Sequence, residues 1–248
     1  MSSEGASMGS VAAQALTALD QYFELEVFPP GAPTANLEEL YALRFSIFCE
    51  ECRFMPADHY PDGLERDNWD PAAAHFAARN ADHRIVGTSR LVLVPPGDPF
   101  PYEAHCEPFP GFQPPDPAES AEVSRLAVDR SYRRRAGDTV YGINPADLEG
   151  PRTPGERGAD KRVNAPLLVL GLYREMYRYS RAHGIRYWYA AMERSLAKVL
   201  ALYGFVFKPI GPEQDYYGPV TPYLGDLRDL EDLVRSYNPK LLDWFQHG

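Results

Sequence analysis

Apolar and polar positions alternate in Phe23-Glu-Leu-Glu-Val-Phe28, the pattern of a half-buried strand, and Pro29-Pro30-Gly31 ends it. Asn36 with Glu39 three residues on has the spacing of a helix start, and Leu40, Leu43 and Ile47 then form an apolar stripe that carries a helix to about Glu51. Arg53 to Pro71 is polar and turn-rich and reads as a long loop. Two runs, Ala74 to Asn80 and Arg84 to Val94, separated by Ala-Asp-His, predict an antiparallel hairpin. A stiff, extended loop follows from Pro95 to Pro117, holding nine of the 24 prolines, and Ala121 to Val128 reads as a strand. Asn164 can cap a helix over Ala165 to His183 that Gly184 stops. Strand Ile185 to Ala191, helix Glu193 to Tyr203 and strand Phe205 to Lys208 complete the series. Such alternation predicts an α/β domain, a mixed sheet with helices on its faces.

Composition sets the boundaries of this picture. The first 22 residues are rich in Ser, Gly and Ala and are expected to be a disordered tail, leaving one domain over residues 23–248. Residues around 138–163 are rich in Gly, Pro and charge, which predicts a mobile insertion. No apolar run approaches the roughly 18 residues needed to cross a bilayer, and no basic residue precedes the first apolar stretch, so a cytoplasmic location is expected.

Net charge is −10, which argues against wrapping nucleic acid. The charge is uneven. Between Arg125 and Arg186 stand 13 Lys or Arg against 7 Asp or Glu, a +6 island in an acidic chain. It is either a solvated surface or a patch that docks an acidic partner. Three cysteines are too few for a disulfide framework, and Cys49-Glu-Glu-Cys52 lacks a second ligand pair for zinc, so no metal is expected.

Glu122-Val-Ser-Arg125 carries the most chemistry. In a regular strand its two charged residues point to opposite faces, and a bulge would bring them together. Spacing alone is equally that of a salt-bridged, half-exposed strand. Upstream stand Arg44 and Phe48 four apart on one helix face, then Phe54, Asp67, Asp70 and Arg90. This series resembles the acyl-homoserine lactone synthases, whose pattern runs Arg, Phe, Trp, Asp-x-x-Asp, a strand Arg, then Glu-x-x-Arg. Phe54 occupies the position of the Trp, a departure from that pattern.

A closer resemblance is carried by Phe48-Cys-Glu-Glu-Cys52, Asp62-Gly-Leu-Glu65, Glu122-Val-Ser-Arg-Leu-Ala-Val128, Gly171-Leu-Tyr173, Trp188-Tyr-Ala-Ala-Met-Glu193 and Pro209-Ile-Gly-Pro212. Together these are similar to the PEP-CTERM/exosortase-associated acyltransferases, relatives of the N-acyl amino acid synthases. The exosortase association belongs to that family; no residue here carries it.

The resemblance implies a fold like that of the GCN5-related N-acetyltransferases, a mixed central sheet in which the strands Ala121 to Val128 and Ile185 to Ala191 splay around an acyl thioester. It implies no permanently bound cofactor, an acyl-phosphopantetheine donor presented by acyl carrier protein, and a small amino acid acceptor. The usual pyrophosphate turn after the first splayed strand is replaced by Arg133-Arg134-Arg135-Ala-Gly, which favours a carrier protein docked on these arginines over coenzyme A. Glu122 is then the base and Arg125 its catalytic companion. Backbone amides of Leu126, Ala127 and Val128 would receive the acyl group and its oxyanion. Arg44, Arg90 or Arg125 would bind the acceptor carboxylate, Phe48 and Phe54 would wall the pocket, and Asp67 and Asp70 would line it or pin the arginines. The expected reaction is transfer of a long-chain fatty acyl group to a free amino acid. A homoserine lactone synthase, a coenzyme A-dependent acetyltransferase and a non-catalytic carrier-binding module remain as alternatives.

Overall fold

A computed structural model describes residues 19–132 and 165–247. The three arginines Arg133, Arg134 and Arg135, the insertion around 138–163 and the capping residue Asn164 lie outside the described residues.

The chain enters through a four-residue helix, α1 (Leu19–Tyr22), and β1 (Glu24–Phe28). Leu19–Tyr22, expected to belong to the tail, are helical. Leu19 is fully buried against Gly171, where an added Cβ would lie 3.0 Å from both Leu19 methyls. Helix α2 (Glu38–Phe45) runs directly into a π-helical segment, Ser46–Glu51. The expected Asn36/Glu39 capping pair does not form. Asn36 lies in a separate 3₁₀ turn, Thr34–Asn36, and the Glu39 carboxylate instead accepts from the Ile85 amide at 2.8 Å and pairs with Arg79. Glu39 thus ties α2 to the mouth of the next hairpin.

That hairpin is β2 (Ala73–Arg79) and β3 (Ile85–Val92), and β4 (Ser120–Val128) lies antiparallel to β3. Helix α3 (Ala165–Ala182) ends as its sequence predicts. Gly184 takes φ 73°, and the Ile185 amide reaches back to the Ser180 carbonyl at 2.9 Å, the bond that closes a Schellman turn. β5 (Tyr187–Met192), α4 (Arg194–Leu202) and β6 (Phe207–Pro209) follow. The C-terminal segment adds β7 (Gln214–Asp215), β8 (Pro219–Asp226), α5 (Leu227–Tyr237) and α6 (Pro239–His247). Among the described residues the sheet order is β1-β2-β3-β4-β5-β8-β6, with β7 paired to β8.

Helices cover both faces of the sheet. α2 and the π-helical segment after it pack over β2, β3 and β4, bringing Leu40, Leu43 and Ile47 into one cluster with Ala77, Ile85 and Ala127. On the other face α3, with α4, α5 and α6 beside it, covers a core that includes Phe76, Val128, Trp188 and Phe245, all fully buried. β3 is buried along its whole length, as a strand covered on both sides must be.

Two irregularities open the centre. β4 and β5 are parallel and pair only over Ser120–Glu122 against Tyr187–Tyr189. The register between β3 and β4 also shifts between Thr88 and Arg90, leaving one extra residue on β4, and Arg125 there adopts φ 54°. That is a β-bulge, which turns the strand and re-aims its side chains.

Candidate active site

The splay and the bulge create a cleft of about 330 Å³. Glu122 and Arg125 line it together. An unbroken strand would have sent them to opposite faces, so the bulge makes the site. Arg125 holds a left-handed backbone conformation that non-glycine residues adopt at a cost of about 1–3 kcal/mol.

A charge lattice of three arginines and three carboxylates backs the cleft, with Asp67, Arg90 and Arg125 in its wall and Arg44, Glu65 and Asp70 behind them. Arg44 donates to Glu65 through Nε and to both Asp70 oxygens at 2.7 and 3.2 Å. Arg90 donates to Asp67 at 2.7 and 2.8 Å, to Asp70 at 2.6 Å and to the Ser124 hydroxyl at 3.0 Å. Arg125 completes the ring, reaching Glu65 at 3.1 Å and Asp67 at 2.9 Å. Burial alone would push the Asp70 carboxyl up; Arg44 and Arg90 override it and hold it well below the usual carboxylate range. Asp67 is lowered likewise, chiefly by Arg90 against the effect of burial. Burial pushes His75 down to about 4, so the ring beside Asp70 stays neutral at physiological pH.

This geometry corrects part of the expectation from sequence. Arg44 is fully buried and paired with Glu65 and Asp70, so it does not reach the cleft, whereas Arg90, 1% exposed and paired with Asp67 and Asp70, still lines it. Arg44 and Asp70 do not line the cleft; they pin what does. Arg125 is the partly exposed arginine of the three, and its guanidinium carbon lies 5.9 Å from the Phe48 ring centroid. Phe48 and Phe54 both line the cleft, and Phe54 stacks on Tyr217 at 6.4 Å. Leu126 lines it too, whereas Ala127 and Val128 are buried in register with Thr88 and Gly87 of β3.

Glu122 is set apart from the lattice. It is 4% exposed, and its Oε2 accepts the Tyr102 amide at 2.8 Å. Burial pushes its carboxyl up to about 8, against the opposing pull of that amide, Arg90 and Arg125. A carboxyl near neutrality at the mouth of a strand splay can take a proton and give it back. Cys49, by contrast, is an ordinary buried thiol pushed up to about 11 by its burial, unsuited to act as a thiolate.

Several contributors were not among the site residues expected from sequence, although Glu65, Tyr173 and Met192 stand within the motifs quoted for the resemblance. Glu65 sits in a polar loop, and only the fold shows that it joins Arg44 to Arg125. Tyr216 and Tyr217, at the tip of the β7–β8 hairpin, wall the cleft opposite Phe54, and Tyr216 stacks on His105 at 3.9 Å. Met192, Leu196 and Tyr173 supply its apolar end.

The fold is that of the GNAT-like acyltransferases, a mixed sheet with helices on both faces and a cleft at the β4–β5 splay. Residues 43–141 match the family model described as acetyltransferase (GNAT) domain. The chain is 23% identical over 176 residues to the acyl-homoserine-lactone synthase of Aeromonas salmonicida, covering 71% of this chain and 72% of that one. It is similar in structure to TofI, solved with an inhibitor and MTA, at a TM-score of 0.58 and 19% identity over 84% of this chain and 96% of that one. It is also similar to BjaI, a CoA-dependent acyl-homoserine lactone synthase solved with SAM and isopentyl-CoA, at a TM-score of 0.56 and 22% identity over 87% and 89%. These similarities relate the chain to the acyl-homoserine-lactone synthases and the wider GNAT-like acyltransferases.

Proposed function

We propose that the protein is an N-acyltransferase that moves an acyl group from a thioester to the amine of an amino-acid-like acceptor, with Glu122 as the base. The observation that carries this reading is the buried Glu122, titrating near 8 at the splayed strands beside an arginine fixed in place. The amine nitrogen attacks the thioester carbonyl carbon and a C–N bond forms. Glu122 takes the proton the nitrogen loses, directly or through a water. The C–S bond then breaks, and the leaving thiolate takes up the proton that Glu122 accepted, directly or through a water, and departs as a free thiol. Backbone amides on the β4 edge from Leu126 onward are the proposed donors to the oxyanion. Arg125 is the proposed grip for an acceptor carboxylate, since Glu65 and Asp67 orient it without burying it.

The donor we propose is acyl carrier protein, on the strength of the +6 island that includes Arg133, Arg134 and Arg135. The acceptor we propose is a free amino acid. A second reading, a homoserine lactone synthase acting on S-adenosylmethionine, is favoured by the similarity to the Aeromonas enzyme and disfavoured by Phe54 in place of Trp. No described helix is long and apolar enough to cross a membrane.

Mass spectrometry of lipid extracts from bacteria expressing the chain or Glu122→Gln tests the reading. N-acyl amino acids found only with the wild type support it, and acyl-homoserine lactones found only with the wild type establish the second reading. Extracts that match the empty control for both would remove the enzymatic reading in favour of a carrier-binding module.

A further inference from the structure

Glu122 is held by a segment remote in sequence. The Tyr102 amide that reaches its Oε2 belongs to a short 3₁₀ turn, Pro101–Ala104, within the Pro-rich loop. The Tyr102 ring stacks on Tyr189 at 5.0 Å and 24°, and Phe100 tilts against the same ring at 5.0 Å. Tyr189 is the β5 residue in register with Glu122, so the turn sits directly on the last paired position of the two splayed strands. The Tyr102 carbonyl is fixed as well, accepting from the Cys106 amide at 2.8 Å and the His105 amide at 3.0 Å. One side chain closes the turn. Glu103 accepts the Phe100 amide at 2.6 Å through Oε2, while its own amide donates back to the Phe100 carbonyl at 3.0 Å. Glu103 is exposed and does not line the cleft.

Building on Glu122 as the base, we propose that Glu103 is a positioning residue, whose cap on the Phe100–Ala104 turn keeps the Tyr102 amide on the Glu122 carboxylate. An amide that donates to a carboxylate favours its ionised form. Of the forces on Glu122, burial raises it and this amide is the first that opposes burial. Loosening the turn therefore makes Glu122 harder to ionise. The charged and titratable groups around Glu122 are Arg90 from β3, Arg125 from β4, Tyr189 from β5, Asp67 from the loop before β2, Cys106 and Tyr102 from the Pro-rich loop, and Tyr216 from the β7–β8 hairpin. A change at Glu103 leaves each of these in the chain.

Glu103→Ala removes the cap, whereas Glu103→Gln keeps an oxygen for the Phe100 amide and removes only the charge. Two readouts are needed: kcat/KM against pH with an acyl thioester and acceptor, and a ¹³C-carboxyl NMR titration of Glu122 in the full chain, assigned with Glu122→Gln. Glu103→Ala is expected to move both midpoints upward by about half a pH unit, a drop of about threefold in kcat/KM at neutral pH that vanishes above the new midpoint. Glu103→Gln is expected to follow the wild type. An NMR midpoint that stays in place in Glu103→Ala, with or without a loss of rate equal at every pH, would overturn the proposal and leave Glu103 a structural cap. An NMR midpoint that moves while the rate profile does not would support the positioning role and count against Glu122 as the base.

Discussion

Glu122 and Tyr189 face each other at the last paired position of β4 and β5, and beyond them the two strands part. The pair marks where a continuous sheet becomes a cleft. Everything that gives Glu122 its chemistry converges there: the splay that opens one side, the turn seated on Tyr189 that covers another, and the bulge that swings Arg125 to the same face.

The first prediction concerns Glu122 itself. Glu122→Gln keeps an oxygen that can accept the Tyr102 amide, so the fold should persist while turnover falls by about 10²- to 10⁴-fold. Steady-state kinetics beside a circular dichroism spectrum decides it; wild-type turnover in the variant would take Glu122 out of the mechanism.

A second prediction follows from the sign of its titration. Because folding raises this carboxyl from 4.5 to about 8, the folded state prefers the protonated form. The stability that preference gives is complete below about 4.5 and is lost as pH rises through 8. Glu122→Gln cannot ionise, so its advantage over the wild type should grow across that window by up to about 1.4 kcal/mol per pH unit. Urea unfolding of both proteins at a series of pH values measures the gap, and a gap independent of pH contradicts the assignment. The same group predicts that kcat/KM rises with pH until about 8 and is level above it.

The buried lattice should be intolerant of a missing cation. Arg44→Ala leaves Glu65 with Arg125, and Asp70 with Arg90, as the remaining arginine partners at zero or low exposure, which should cost about 3–5 kcal/mol. Arg125→Ala, whose side chain is 15% exposed, should be milder in stability but should raise KM for the acceptor more than it lowers kcat. Thermal melts and acceptor titrations of both variants separate the two roles; equal effects of the two on KM would argue against them.

Gly211 offers a test of the Pro-rich loop. A Cβ there would meet the Glu107 carbonyl oxygen at 2.3 Å, next to the point where the Phe109 amide donates to the Ile210 carbonyl at 2.7 Å. Gly211→Ala must push the loop backbone away, and a destabilisation of about 1–3 kcal/mol is expected. Retained stability would mean that the loop is not pressed against this turn.

Much of the architecture is legible along the chain because the alternation of β1, the two runs flanking Ala-Asp-His and the apolar stripe of α2 are local signals. The Glu122-x-x-Arg125 motif was legible as chemistry, and even its need for a bulge could be stated, but the bulge itself depends on how β3 registers with β4. The C-terminal third is harder to read. Pro219 and Pro222 break the pattern of a strand, yet both lie in β8, which is paired on both sides in the sheet. Arg44 and Arg90 look from sequence like candidates to bind an anion. The resemblance offered Asp67 and Asp70 either to line the pocket or to pin the arginines; the fold pairs them with Arg44 and Arg90 and adds Glu65, because partners 20 to 26 residues away leave no periodic trace.

The central claim is that an acyl thioester gives its acyl group to an amine at Glu122. The most direct measurement incubates the purified protein with an acyl carrier protein thioester and a mixture of amino acids, counting free thiol and amide product together. One thiol released for each N-acyl amino acid formed, both lost in Glu122→Gln, is the predicted result. Thiol released at the same rate without any amine, or with Glu122 replaced, would contradict the account.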